Sequence, residues 1–184
     1  MADTHDPAPQ TDTDSTEIDA VDEECPVVLV HGWGGSFRET WERSGFTALL
    51  ADAGRSVIGV DLLGHGTAPK PHDPAAYGDL TERIRDALPE AGQVDAIGFS
   101  MGAMTLLRLA IDQPHRFRRL VLAGIGQNVF VHDAERHAAI VAALEGVDGA
   151  DTDNVGRLFV QYASQPGNDI AALTAVLRRA ESAP

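Results

Sequence analysis

Hydrophobic and polar positions alternate between two rhythms along the chain. Pro26 to His31 (P-V-V-L-V-H), Ser56 to Asp61, Val94 to Gly98 and Arg119 to Gly124 are short runs rich in apolar residues. Uninterrupted runs of this kind suit parallel strands that are covered on both faces. Between them the apolar residues take a helical spacing. Trp41, Phe46, Leu49, Leu50 and Ala53 precede Gly54, which ends that helix. Ser36 and Glu39 form a capping box at its start. Tyr77, Leu80, Ile84 and Leu88 mark a helix over Pro74 to Leu88, with proline in its first turn. Met104, Leu106, Leu107 and Ala110 mark another, ended by Pro114. From Gln127 the strands cease. Asp133 to Leu144, Val155 to Tyr162 and Ile170 to Arg179 read as helices separated by Gly, Asp, Asn and Pro.

Strands alternating with helices predict an α/β fold with a parallel sheet. In such sheets ligand-binding groups gather where the carboxyl ends of the strands meet the loops. Three loops lie there: His31 to Ser36, Asp61 to Thr67, and the turn after Phe99.

Residues 1–24 contain nine acids, no Lys or Arg and few large apolar residues. They read as a disordered acidic tail, with neither a basic nor an apolar region of a signal peptide. The formal net charge of -14 argues against nucleic acid or an anionic membrane as partner, since both require a basic face. No apolar run is long enough to span a bilayer. Cys25 is the single cysteine, a small apolar residue at a strand start, so a cytoplasmic setting is the expectation.

The chemistry centres on Gly98-Phe99-Ser100-Met101-Gly102. This is G-x-S-x-G placed between a strand and a helix, the context a nucleophile elbow requires. Ser100 is expected in a strained backbone conformation, with Gly98 and Gly102 leaving room for the tight turn. The helix that follows favours negative charge beside Ser100. No His, Cys and carboxylate grouping has metal-ligand spacing, and the glycine loops lack a phosphate-cradle pattern, so neither metal nor cofactor is expected.

Three motifs occur in order: H-G-W-G-G at His31 to Gly35, D-L-L-G-H-G-T at Asp61 to Thr67, and G-F-S-M-G at Gly98 to Gly102. Together they resemble the α/β-hydrolase superfamily, in its branch of cap-bearing serine hydrolases. The resemblance covers about Cys25 to Gly126. It implies that Ser100 is the nucleophile of a hydrolase acting on a small-molecule ester or related acyl substrate. It implies an oxyanion hole from the backbone N–H groups of Trp33 and Met101, with His31, Gly32, Gly98 and Gly102 supporting the loops. Residues 25–126 would be the core and 127–184 a helical cap segment.

The resemblance also implies strands after the cap that carry the catalytic acid and histidine. The 184 residues offer no counterpart to them, so a truncated chain is expected. Asp133, His132 and His137 are weak acid or base candidates within it, and His31 and His65 read as loop braces. His115 lies beyond the far end of the helix after Ser100. An alternative is a catalytically incompetent fragment or ligand-binding remnant. Cofactor-free haloperoxidases and carbon–carbon bond hydrolases share the motifs, whereas a nucleophilic aspartate is excluded by Ser100.

Overall fold

A computed structural model of the chain describes residues 25–131, 133–147 and 154–179. The acidic segment 1–24 lies outside the described residues, as does His132. Four strands form one parallel sheet: β1 (Val27–Val30), β2 (Val57–Val60), β3 (Val94–Phe99) and β4 (Phe117–Ala123), in the order β2-β1-β3-β4. The α/β expectation holds. β1 is central and every one of its residues is buried, which accounts for its unbroken apolar sequence. It pairs with β2 from Val27↔Val57 and with β3 from Val27↔Asp95.

The helices are α1 (Phe46–Asp52), α2 (Glu82–Ala87), α3 (Met101–Asp112), α4 (Ala134–Leu144), α5 (Asn154–Ala163) and α6 (Ile170–Arg178). Alternation along the strands sends Val28, Val30, Val94 and Ala96 to one face, where they meet Ile84 and Leu88 with Leu106 and Leu109 of α3. Leu106 and Leu109 are fully buried, each contributing about 2 kcal/mol from removal of apolar surface from water. Val27 and Leu29 point the other way, onto Trp41 with Phe37, Phe46 and Leu50. A third cluster joins α6 to the rim of the sheet through Tyr77, Ala175 and Val176, with Trp33, Leu63 and Met101 against them.

Three helical expectations are corrected. The helix expected from Ser36 to Ala53 is two pieces, Arg38–Glu42 and α1, broken at Gly45, which has φ 79°. Leu49 consequently faces solvent at 66% exposure. The capping contact is present, with the Glu39 N–H donating to Ser36 Oγ at 3.1 Å. The helix expected over Pro74 to Leu88 is likewise a short turn, Pro74–Tyr77, followed by α2. Between them Asp79 accepts from the Thr81 N–H and hydroxyl. This local Asx bonding competes with continuation of the helix.

On α3 the buried residues are Gly102, Ala103, Thr105, Leu106 and Leu109, so of the expected stripe of Met104, Leu106, Leu107 and Ala110 only Leu106 is buried. The face of α3 nearest the sheet must be small, because its first turn lies against β1. β4 starts at Phe117, two residues before the expected Arg119. Arg118 there is turned to account by Asp95, which it contacts through Nε at 3.0 Å and a terminal guanidinium nitrogen at 2.9 Å.

Candidate active site

The turn from β3 into α3 is set by backbone crowding. Ser100 has φ 51° and ψ -115°, and among the described residues it is the one non-glycine with positive φ. An L-residue in this region is strained and persists only where its surroundings impose it. The impositions are visible. A Cβ on Gly98 would lie 2.7 Å from the Ala103 backbone, and one on Gly102 would lie 2.4 Å from the His31 carbonyl oxygen. The Ser100 N–H is tied to the Ala123 carbonyl of β4 at 2.8 Å. The first bond of α3 runs from the Met104 N–H to the Ser100 carbonyl. The N–H groups of Met101, Gly102 and Ala103 therefore precede the intrahelical ladder and make the end of α3 electropositive beside Ser100.

The His31–Gly35 loop comes directly against this turn. A Cβ at Gly32 would meet Ser100 Cβ at 3.3 Å and the Phe99 carbonyl oxygen at 3.3 Å. Only a glycine lets the loop backbone approach so closely. The Gly32 carbonyl is held twice, by the His31 ring at 2.7 Å and by the Gly35 N–H at 3.1 Å. The Gly32–Trp33 peptide is trans, so fixing that carbonyl fixes the opposed direction of the Trp33 N–H.

His31 is fully buried. Its Nδ1 carries the proton given to Gly32, because Nε2 accepts from the Leu62 N–H at 3.1 Å. Burial holds its pKa below the ordinary value against the opposing pull of the Gly32 bond and of Asp61. The ring is thus a neutral brace with both nitrogens engaged. Asp61 stands 3.7 Å from it and accepts from the Phe37 N–H, the Thr67 N–H and the Thr67 hydroxyl. Burial pushes the Asp61 pKa up, but these bonds outweigh it and the net shift is downward. One carboxylate therefore joins the first two motif loops.

His65 packs against His31, ring centroids 5.1 Å apart. Its Nδ1 donates to the Leu63 carbonyl, and its Nε2 is buried without a hydrogen-bond partner. Burial, reinforced by His31, lowers its pKa to about 3, far from the range in which an imidazole exchanges protons usefully.

The remaining described candidates are engaged with other partners. Asp133 caps α4, accepting from the Arg136 N–H at 3.0 Å. His137 of α4 contacts the Leu177 carbonyl of α6 through Nε2 at 2.9 Å. His72 pairs with Asp169 at 3.0 Å. His115 follows the 12-residue α3, which puts it about 20 Å from Ser100. Among the described residues no group of three or more His, Cys, Asp or Glu could hold a metal ion. No described helix is long and apolar enough to cross a membrane.

The family model for the α/β hydrolase fold matches residues 26–145, from β1 through α4 and all three motif loops. The chain belongs to the α/β-hydrolase-fold family. One relative of this hydrolase-fold chain is the sn-1-specific diacylglycerol lipase ABHD11 of Mus musculus. The two are 32% identical over 124 residues, covering 66% of this chain and 39% of the lipase. Another is the 2-hydroxy-6-oxo-2,4-heptadienoate hydrolase of Pseudomonas putida, 39% identical over 104 residues, covering 54% of this chain and 37% of that one. The chain thus spans less than half the length of either relative. A solved esterase from Exiguobacterium antarcticum superimposes with a TM-score of 0.59 at 19% identity, covering 83% of this chain and 64% of that one. At that identity the likeness shows the fold alone.

Sequence reasoning missed one part of the hydrolase-fold site. Residues of α5, α6 and the turn between them grip the His31–Gly35 loop, with Asn168 donating to the Gly34 carbonyl 134 positions earlier. The only local signal near Asn168 is Asp169, whose side chain caps α6; nothing in the pattern connects it to the loop.

Proposed function

We propose that this chain is the nucleophile-bearing part of a serine hydrolase acting on a carboxylic ester or related acyl substrate. Ser100 is the nucleophile. The backbone N–H groups of Trp33 and Met101 form the oxyanion hole, and residues from 127 onward belong to a helical cap. The observation that carries this reading is the strained Ser100 backbone, with φ 51°, pressed against Gly32 of the neighbouring loop. Such a turn stores strain, and stored strain of this kind is associated with function. Attack of the serine oxygen on an acyl carbon moves negative charge onto the carbonyl oxygen. Two fixed N–H donors beside the nucleophile stabilise that charge without reorganising, an effect worth about 3 kcal/mol per donor. No metal or organic cofactor enters this chemistry.

The test is covalent labelling with a fluorophosphonate, which reports a reactive serine whatever the natural substrate. Ser100 is expected to be the labelled residue, with Ser36, Ser44, Ser56 and Ser164 inert. Labelling that survives Ser100→Ala overturns the assignment.

Hydrolysis of a carbon–carbon bond is a second reading, favoured by the 39% identity to the heptadienoate hydrolase. The compound in that name is a conjugated keto acid with no ester to cleave. Parallel assays with a p-nitrophenyl ester and a 2-hydroxy-6-oxo-dienoate separate the two readings.

A further inference from the structure

Two successive residues of the His31–Gly35 loop are each held from two directions by the α5–α6 segment. The Trp33 ring packs on Phe159 of α5, centroids 4.9 Å apart and tilted by 34°. Its indole Nε1–H donates to the Leu173 carbonyl of α6 at 3.1 Å. Gly34, with φ 72°, lies beneath Tyr162 of α5, whose Cβ would be 3.1 Å from a Cβ on the glycine. The Gly34 carbonyl accepts from Asn168 Nδ2 at 2.8 Å, and the same nitrogen donates to the Tyr162 carbonyl at 2.8 Å. One side-chain amide therefore ties the end of α5 to the loop.

We infer that Asn168 is a positioning residue: its amide clamps the α5–α6 segment to the loop, so that the Trp33 N–H, whose direction is set upstream by the Gly32 carbonyl, is steadied from downstream while that segment is seated. The inference rests on the reading of the Trp33 N–H as an oxyanion donor. The clamp acts on the Gly34–Gly35 peptide, separated from the donor's own Gly32–Trp33 peptide by the single Trp33–Gly34 unit. Gly34 has the wide conformational freedom of glycine, so the Trp33–Gly34 segment needs external anchors to hold one geometry. Its neighbour on the other side, the Gly32 carbonyl, is already fixed by His31 and Gly35. Asn168 supplies the matching restraint downstream. Seating the α5–α6 segment then steadies the loop that carries the donor, and lifting it loosens that loop. An amide is required, because its NH2 group offers two hydrogens to two carbonyl oxygens. An aspartate of the same shape would set a carboxylate against both carbonyls.

The experiment compares the full chain with Asn168→Asp and Asn168→Ala. Hydrogen exchange over residues 31–37 reads the clamp directly, and the rate of Ser100 phosphonylation by a fluorophosphonate reads its consequence. Both variants are expected to exchange faster over 31–37, with β1 and β3 protected as in the parent. The limiting phosphonylation rate should fall about tenfold, a fraction of the loss for removing an oxyanion donor outright, with the probe's binding constant little changed. Unchanged exchange over 31–37 overturns the clamp, whatever the reactivity. Faster exchange with an unchanged limiting rate overturns the link from Asn168 to the donor. Failure of both variants to fold also overturns it, since the amide would then hold the fold and not the loop. A parent chain whose Ser100 never labels overturns the reading of the site itself, a result distinguishable because the exchange arm is read independently.

Discussion

A Cβ placed on Gly102 would lie 2.4 Å from the carbonyl oxygen of His31 and 2.6 Å from that of Val30. The end of β1 and the first turn of α3 are in contact through backbone alone. Neither partner is a flexible side chain that could move aside. Gly102→Ala should therefore force β1 and α3 apart at the point where Ser100 is held. We expect loss of fluorophosphonate labelling together with a destabilisation of roughly 3 kcal/mol, the upper range for overpacking a tight site. Denaturant melts and labelling measure the two separately. A variant of parental stability and reactivity would show that the turn tolerates a wider spacing.

Ester hydrolysis by the 184-residue chain should be slow. A full cycle needs a histidine that takes the Ser100 proton and returns it to the leaving group. His31 has both nitrogens engaged, His65 has a pKa of about 3, and His137 is turned to the Leu177 carbonyl. The oxyanion hole and bound geometry alone give roughly 10³ to 10⁴-fold over water. We expect p-nitrophenyl acetate turnover slightly above a Ser100→Ala blank, and no change on His115→Ala. Turnover of about 10 per second would reveal a working base, to be found by replacing His132, His137, His31 and His65 in turn.

Asp95 stands at the opposite end of β3 from Ser100, about 16 Å away along the strand. It receives Arg55 at 2.6 Å and Arg118 at 2.9 Å, with only 9% of its own side chain exposed. Burial raises its pKa, but the Arg118 and Arg55 bonds prevail and bring it down to about 2. Asp95→Ala leaves two guanidinium groups without their shared carboxylate, which should cost about 3 kcal/mol and lower the melting temperature by roughly 10 °C. Labelling of Ser100 well below the melting temperature should be unaffected. A slowed reaction in the still-folded variant would contradict the separation between this ion cluster and the site.

Stability should fall on mild acidification. His31 and His65 both have folded pKa values below the ordinary histidine value, because burial disfavours their charged forms. For a histidine of lowered pKa the unfolded chain binds more protons than the folded one. The contribution is fully present above about pH 6.5 and is lost as pH falls below it, for His65 toward about 3. Each such histidine gives a slope of about 1.4 kcal/mol per pH unit inside that window. Asp95, at about 2 in the folded chain, adds a loss below about pH 4. Urea melts from pH 8 to 4 should show this decline, with a shallower slope in His65→Phe. A stability independent of pH between 6.5 and 5 would contradict neutral burial of the two rings.

What the sequence disclosed and what it hid follow from the range of the forces involved. β1 was legible because burial on both faces writes itself as an unbroken apolar run, and β3 because its run is broken only by Asp95. The fold class followed from strands alternating with helical spacing. The helix breaks at Gly45 and Asp79 were misread, because one glycine or one Asx turn is weak against a continuing apolar period. Leu106 of the expected α3 stripe is buried, but Met104, Leu107 and Ala110 are not, because the first turn meets the sheet through small residues. The contact is made by Gly102 and Ala103, chosen for their smallness. Asn168 was invisible because its partner is 134 positions away, and one polar residue in a turn carries no pattern.

The sheet order has a consequence for how the strained Ser100 turn comes into being. β1 meets β2 at Val27↔Val57, but the seam with β3 joins Val27 to Asp95, a far longer stretch of chain. Loop closure costs about 0.6 kcal/mol more for each doubling of length, so the β1–β2 pair is the cheaper one to nucleate. The strain at Ser100 is imposed from β1, through the Gly102 and Gly32 contacts, and from β4, through the Ala123 carbonyl. The β3–β4 seam, from Val94↔Phe117, closes a shorter loop still, so the β1–β3 seam is the one whose closure completes the restraint on Ser100. If Ser100 is the nucleophile proposed above, phosphonate labelling during refolding becomes a clock for closure of the β1–β3 seam, independent of any signal from secondary structure.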